Sequence, residues 1–409
     1  MDRQAAGTSA AAATRALREA AGLKTVVIGG GVFGLAAAVH LARLGAAVTV
    51  VSDGPLGGGA SGRSLSWLNS ARRRSPAYHA LRMAGLERYR TLSRQVPGSA
   101  AWLRFDGGLT FDAEGPDNTI EAVARHEWDI GYEARFLTPD EVAAEIPGVD
   151  AAAVTGPGAI FNPGEGWVDL GALIAHLAAE LRARGGVVLD EMGPAEPVVT
   201  GGRATGVVLA DGRRVAADRV LVAAGAAVPR MLAALGVEVA DATPLACLVR
   251  TAPLDHPLKA VLNTPRVAIR PDVGGRFVLD ADWTEGSISQ GKAGSYRIAP
   301  DTVAALLAEA SRVLSGRPVL EARSCGIGPK PIPGDGQPVF GPVDGVAGLS
   351  VAFSHSGATL GLIAGELLAR EMVTGRPEPL LEPFRVARFL ARRPSLLAGS
   401  GAAGALAEM

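Results

Sequence analysis

The sequence predicts an α/β chain, with a strand–helix–strand unit near its N-terminus and a β-rich second part. Three observations carry this. Residues 24–53, KTVVIGGGVFGLAAAVHLARLGAAVTVVSD, set two apolar runs around a glycine turn and a helical pattern. Residues 187–225 alternate short β-like runs with turn residues. Residues 245–300 do the same in PLACLVRTA, RVAIRP, GRFVLDADW and SYRIA.

Each element has a local cause. Val26-Val27-Ile28 is a short apolar run of the kind that forms a buried strand. Gly29-Gly30-Gly31-Val32-Phe33-Gly34 fits G-x-G-x-x-G. A helical pattern follows over 32–44 and stops at Gly45. The second β run, 48–51, leads to Ser52-Asp53. The whole spans about the ~30 residues of a βαβ dinucleotide-binding unit. Gly29 permits the turn, Gly31 lets backbone approach a pyrophosphate, and Gly34 lets the helix pack on the strand. The helix N-terminus then offers free N–H groups and a positive dipole end to phosphate. Gly57, Gly59 and Gly62 repeat the spacing, but they follow no strand and open no obvious helix, so they are set aside. His40, Arg43 and the glycine turn argue against reading 26–51 as a membrane span.

The 409 residues suffice for two or three domains, and 48% are hydrophobic. Forty Lys and Arg against 41 Asp and Glu leave no basic excess for nucleic acid or an anionic membrane. Cys247 and Cys325 make neither a disulfide framework nor a metal site, which suits the cytoplasm. Residues 1–22 lack an apolar signal-peptide core and read as a loose extension. The tail beyond Arg393 reads the same way.

Further along, 54–63 is a glycine-rich loop, and Arg72-Arg73-Arg74 reads as a solvated charge run. Ser75-Pro76 starts a helix with Tyr78, Leu81, Leu86 and Tyr89 at helical spacing. Thr138-Pro139-Asp140-Glu141 opens another. Asp169 starts a helix over 170–184, and Ala210-Asp211-Gly212 is a hairpin turn. Asp301 caps a helix running to Leu314. The strand 349–353 leads to Ser354-His355-Ser356-Gly357 and a helix from about Thr359 to Met372.

With both ends of the chain in hand, the pattern resembles the D-amino-acid oxidase superfamily of FAD enzymes, which includes glycine oxidase, sarcosine oxidase and the D-amino-acid dehydrogenases. Four blocks in order carry the resemblance: VVIGGGVFGLAAAVHLARLG, GGGASGRSLSW, RVLVAAGAAVPRML, and GPKPIPGDGQPVFGP with SHSGATLG and a closing Arg388-Phe389. It implies a discontinuous Rossmann-type FAD-binding domain plus a substrate domain with a large antiparallel β-sheet. The expected division is an extension at 1–22, an FAD domain at 23–98, 152–236 and 324–376, a substrate domain at 99–151 and 237–323, and a tail at 377–409.

The resemblance also implies site residues. Gly29, Gly31 and Gly34, with Val32 and Phe33, hold the FAD pyrophosphate. Ser52 or Asp53 bonds the ribose, with Asp53 preferred because it carries the acid. Ser61, Gly62, Arg63 and Ser64 line the cofactor near its phosphates and flavin. Val198 borders the adenine, Ala224 and Gly225 pack on the cofactor, and Ser356, Gly357, Ala358 and Thr359 lie by the flavin pyrimidine edge. There a helix N-terminus stabilises the negative charge of reduced flavin.

Lys330 stands where glycine oxidase places the arginine that grips the substrate carboxylate. The lysine that assists oxygen in sarcosine oxidase falls near Val278, on a strand without lysine. The flavin-linking cysteine of sarcosine oxidase falls near Gly328. Cys325 is read instead as a buried inert thiol, so FAD is expected to be non-covalent.

The implied function is oxidation of the C–N bond of a small amine or amino acid. Hydride passes to flavin N5, the imine is hydrolysed, and oxygen or another acceptor reoxidises the flavin. Lys330 is the expected anchor. His355 is either a polar group at the flavin or substrate, or a loop histidine that positions its neighbours. Trp67, Asn69 and Trp283 are pocket candidates. The alternatives are an electron-passing dehydrogenase subunit of a hetero-oligomer, and an enzyme acting on a larger substrate without a carboxylate. The absence of a second nucleotide motif and of a paired redox-cysteine motif argues against a disulfide-reductase type.

Overall fold

The computed structural model describes residues 20–390. The extension expected at 1–22 lies outside the described residues up to position 19, and so does the tail beyond 390.

The βαβ unit forms as its apolar pattern requires. Strand Lys24–Ile28 runs parallel to Ala47–Val51 on one side and to Arg219–Val222 on the other. The full sheet runs Val339–Pro342, Leu349–Phe353, Arg219–Val222, Lys24–Ile28, Ala47–Val51, Val187–Leu189. All its pairings are parallel except that of Val339–Pro342 with Leu349–Phe353. Strands of this kind are covered on both faces and so read as continuous apolar runs.

Helix Val32–Arg43 covers one face and packs against helix Gly357–Thr374, which begins two residues earlier than the sequence pattern indicates. Glycines permit the approach. A Cβ on Gly365 would come 2.7 Å from the Ala36 carbonyl carbon, and one on Gly361 would come 2.5 Å from Val32 Cγ2. Helix Pro76–Gln95 joins them through Gly85, where a Cβ would meet the Thr359 carbonyl oxygen at 2.2 Å.

The second sheet has eight strands, in the order Ala322–Pro329, Leu245–Thr251, Arg276–Asp280, Ala268–Asp272, Val261–Asn263, Gly108–Thr110, Ala159–Asn162, Arg135–Leu137. It is antiparallel apart from the pairing of Val261–Asn263 with Gly108–Thr110. Two expected boundaries move. Ala159–Asn162 pairs with Gly108–Thr110, and Ala322–Pro329 pairs with Leu245–Thr251, so both strands belong to this sheet rather than to the parallel one. Helix Pro300–Val313 is preceded by Ala299 with no side-chain cap, which puts Asp301 in the first turn instead of at the cap. Asp169 and Thr138 do cap their helices, Thr138 in a reciprocal capping box with Glu141. Among the described residues, no helix is long and apolar enough to cross a membrane.

Candidate active site

A cavity of about 580 Å³ opens where the parallel strands end. Ile28, Val51 and Phe353, at the carboxyl ends of their strands, and Ala223, just past the end of Arg219–Val222, line it. That is the position an open α/β sheet reserves for a ligand.

The glycine turn forms its floor. Gly29 has φ of +121°, and a Cβ there would lie 2.3 Å from the Ala223 carbonyl oxygen. Gly34 sits beneath the turn, with its Cβ position 2.0 Å from the Gly29 carbonyl oxygen. Gly31 is different. Its φ is −84°, and a Cβ would meet only Ser61 Oγ, at 3.2 Å. The first two glycines are therefore required by the protein's own packing, while Gly31 leaves its space to the cavity. No side chain caps the helix that starts at Val32, although Val32 N–H donates to Ser61 Oγ at 3.1 Å.

The glycine loop set aside on sequence grounds forms part of the cavity wall. Gly57, Gly58 and Gly59 line the cavity, and Gly57 N–H donates to the Gly30 carbonyl at 2.9 Å. The glycine spacing alone gave no signal for this role, because what places these residues is the contact with Gly30. Arg63 closes the same wall. Its guanidinium donates to the Gly58 carbonyl at 2.7 Å, and its buried Nε has no hydrogen-bond partner among the described residues. Burial also lowers its pKa. A half-buried guanidinium on the cavity wall is a fit for an anionic group such as phosphate.

Of the expected cofactor residues, Gly29, Gly31, Val32, Phe33, Ser52, Asp53, Ser61, Arg63, Ser64, Ala224, Gly225, Gly357 and Ala358 line the cavity, and so does His355. Ser52 is buried, whereas Asp53 is exposed and accepts from Gly54 N–H at 2.9 Å.

Others are placed elsewhere. Val198 lies in a separate three-stranded sheet, opposite Gly206, and Pro194 and Ala195 take the cavity position instead. Gly62 turns its carbonyl to Arg250 at 3.3 Å. Thr359 is buried and ties Trp67 to the helix, donating to the Trp67 carbonyl at 3.2 Å.

Ser356 is also held outside the cavity lining. Its hydroxyl meets the Tyr78 hydroxyl at 2.6 Å and accepts from Arg82 at 2.6 Å. It therefore makes no cap to its own helix, although the Ser356 N–H donates to Ser354 Oγ at 3.2 Å. Arg82 is buried and also donates to the Asn69 carbonyl and to Asn69 Oδ1, at 2.8 and 2.7 Å. Asn69 thus serves this brace and does not face the cavity. Trp67 Nε1 donates to Glu165 at 2.8 Å, and the Tyr132 hydroxyl donates to the same carboxyl at 2.5 Å. Trp283 is far from a pocket role: its Nε1 donates to the Arg266 carbonyl at 2.7 Å, and its ring lies 4.6 Å beneath the Arg266 guanidinium.

Lys330 does not line the cavity, although Pro329 and Pro331 do. Its ammonium is paired with Asp282 at 2.8 Å and Glu285 at 2.7 Å. Burial works against its charge, but these two carboxylates and Asp280 more than offset that and raise its pKa. A lysine so committed is poorly placed to grip a substrate.

The expected solvated run 72–74 breaks up. Arg72 pairs with Asp112, and Arg73 is exposed. Arg74 is partly buried, with its Nε buried and without a hydrogen-bond partner, and its guanidinium stands 5.9 Å over the Tyr78 ring. Burial foremost, with Arg82 next, lowers its pKa to about 10, so it stays charged at neutral pH. His355 is exposed where it opens onto the cavity. Desolvation by the protein packed around the ring first, then Lys330 and Arg82, holds its pKa down to about 4, so it is neutral at neutral pH.

The fold and this cavity are of the nucleotide-binding α/β type, with room for an anionic cofactor along the glycine turn. The chain belongs to the FAD dependent oxidoreductase (DAO) family, whose model matches residues 24–371. It is 30% identical to glycine oxidase of Pseudomonas putida, over 88% of this chain and 96% of that one. The solved glycine oxidase of Geobacillus kaustophilus superposes with a TM-score of 0.77 at 23% identity, covering 90% of this chain and 99% of that one. Iminodiacetate oxidase of Chelativorans sp. BNC1 superposes at 0.73 and 24% identity, over 88% and 98%. The chain is an FAD-dependent oxidoreductase. The space kept at Gly31, the two helix N-termini without a side-chain cap and the Arg63 guanidinium on the wall fit FAD.

Proposed function

We propose that this protein oxidises the carbon–nitrogen bond of a small amino acid at FAD held without a covalent link in the cavity. FAD, when bound, supplies the two-electron acceptor that converts the amine to an imine, which water then hydrolyses. Gly31 and the N-terminus of helix Val32–Arg43 hold the pyrophosphate, with Arg63 nearby. The uncapped N-terminus of helix Gly357–Thr374 favours negative charge at the end of the cavity that it faces. His355, neutral at neutral pH, offers a hydrogen bond there without adding a cation.

The observation that carries the amino-acid reading is Arg74. It is a charged guanidinium with a buried Nε and no carboxylate partner among the described residues, standing over the tyrosine that braces Ser356. A planar fork suits a carboxylate better than a point charge does. Neither Arg74 nor Lys330 lines the cavity itself; we assign the carboxylate anchor to Arg74, which has no carboxylate partner among the described residues, and a structural role to Lys330, which has two. The names of the relatives support the reading, since glycine and iminodiacetate each carry an amine and a carboxylate.

The test is a turnover panel of amino acids and plain amines, run with oxygen and with a dye as acceptor. Release of ammonia or amine with a carbonyl product supports the reading, and the better acceptor separates oxidase from dehydrogenase. FAD-loaded protein that turns over no compound of either class with either acceptor would overturn it.

A further inference from the structure

The chain has two cysteines, and the fold brings them together. Cys247 is on strand Leu245–Thr251 and Cys325 on its antiparallel neighbour Ala322–Pro329. Val249 stands opposite Cys325, and Ile327 stands opposite Cys247. The cysteines are thus diagonal neighbours on one face of the sheet, close enough for side chains to meet. Their Sγ atoms are 2.8 Å apart.

Their surroundings differ. Cys247 is buried in the core beside Val249 and Leu279, whereas Cys325 is exposed, contrary to the expectation of an inert buried thiol. The contact is polarised: the hydrogen bond between the two raises the Cys247 pKa, with burial adding, and lowers that of Cys325. An accessible sulfur with thiolate character beside a second sulfur is the arrangement of an oxidisable pair.

We propose that Cys325 and Cys247 form a peroxide-oxidised dithiol, with Cys325 as the attacking sulfur and Cys247 as the resolving one. The Cys325 thiolate attacks one oxygen of hydrogen peroxide. The O–O bond breaks, the other oxygen leaves as hydroxide and takes up a proton as water, and Cys325 becomes a sulfenic acid. The Cys247 sulfur then attacks the Cys325 sulfur. The S–O bond breaks, and the departing hydroxide takes the Cys247 proton as a second water. The two sulfurs give up two electrons, and peroxide accepts them.

The bridge has a definite place in the fold. Ala322–Pro329 is an edge strand of the eight-stranded sheet. Its opposite face carries Gly326 and Gly328 against the Arg63 side chain, which lines the cofactor cavity. A disulfide to Cys247 fastens the strand that backs Arg63.

The test uses the reduced, FAD-loaded protein treated with hydrogen peroxide, alkylated in denaturant and digested without reductant. Mass spectrometry is expected to show joint loss of both alkylatable thiols, with a linked peptide pair two hydrogens lighter than the sum of its parts. In Cys247→Ser, Cys325 is expected to accumulate as sulfenic and sulfinic acid, because no resolving sulfur remains. Wild-type protein that keeps both thiols overturns the proposal. So does wild-type protein in which Cys325 is over-oxidised while Cys247 stays free. The wild-type measurement decides the matter without relying on the variant's folding.

Discussion

Arg82 donates to the Ser356 hydroxyl at 2.6 Å and so holds away from its helix the one side chain placed to cap it. Ser356 belongs to the helix N-terminus that faces the cavity, while Arg82 is carried by helix Pro76–Gln95. The same guanidinium grips Asn69 twice. Arg82→Met removes these bonds and leaves buried acceptors without donors. A hydrogen bond to a charged group contributes about 1.5–3 kcal/mol, and more than one is lost here. The expected result is a lower melting temperature together with weaker FAD retention, read by thermal unfolding and by flavin per protein. An unchanged flavin content would show that the brace does not support the cofactor site.

Gly31 and Gly34 should fail in different ways. At Gly31, φ is ordinary and a Cβ meets only the Ser61 hydroxyl, so Gly31→Val is expected to fold and to purify without FAD. At Gly34, even a methyl group would press on the Gly29 carbonyl, so Gly34→Ala is expected to lose stability as well. Circular dichroism and flavin content separate the two outcomes. A yellow, folded Gly31→Val protein would refute the assignment of the pyrophosphate.

Glu165 gives the fold a pH dependence. Burial foremost raises its pKa from 4.5 to about 8, with Glu127 adding and the bonds from Tyr132 and Trp67 opposing. Between those values the folded protein holds a proton that the unfolded chain has released. Stability therefore falls as pH rises through the window and levels off above about 8. His40 and His355, both lowered from 6.5 to about 4, act in the opposite sense below 6.5. Between 6.5 and about 8, Glu165 is the one of these three that still titrates. Melting temperatures across that interval are expected to fall for the wild type and to flatten for Glu165→Gln. A flat wild-type profile would contradict the buried, protonated state.

What the sequence made legible was set by local pattern. Residues 24–53 carry their strand periodicity, glycine spacing and helix stop within about one unit, so the strand, turn and helix that floor the cavity could be read directly. Thr138 and Asp169 could be read as caps for the same reason. Arg74 could not, because a run of three arginines looks solvated until Asp112 takes Arg72 and Tyr78 lies under Arg74. The ion pairs of Lys330 could not be read, because its partners, Asp282 and Glu285, are remote in sequence. The small-residue spacing Gly357, Gly361, Gly365 was present in the sequence, but only the contacts with Val32 and Ala36 show what it does. Trp283 illustrates the limit of residue type: an aromatic in a β-rich segment can as readily cover an outer core as line a pocket.

The central claim is that a small amino acid is oxidised here with its carboxylate held by Arg74. It is tested most directly by anaerobic mixing of the FAD-loaded protein with a small amino acid, followed through the flavin's visible absorbance. The wild type is expected to bleach with the amino acid and to do so far more slowly with the corresponding amine that lacks the carboxylate. Arg74→Met is expected to lower the second-order bleaching constant for the amino acid by about 10- to 150-fold, the equivalent of ~1.5–3 kcal/mol, with flavin content unchanged. Lys330→Met is expected to leave that constant much closer to wild type. Equal bleaching by wild type and Arg74→Met, or bleaching by the plain amine alone, would contradict the account.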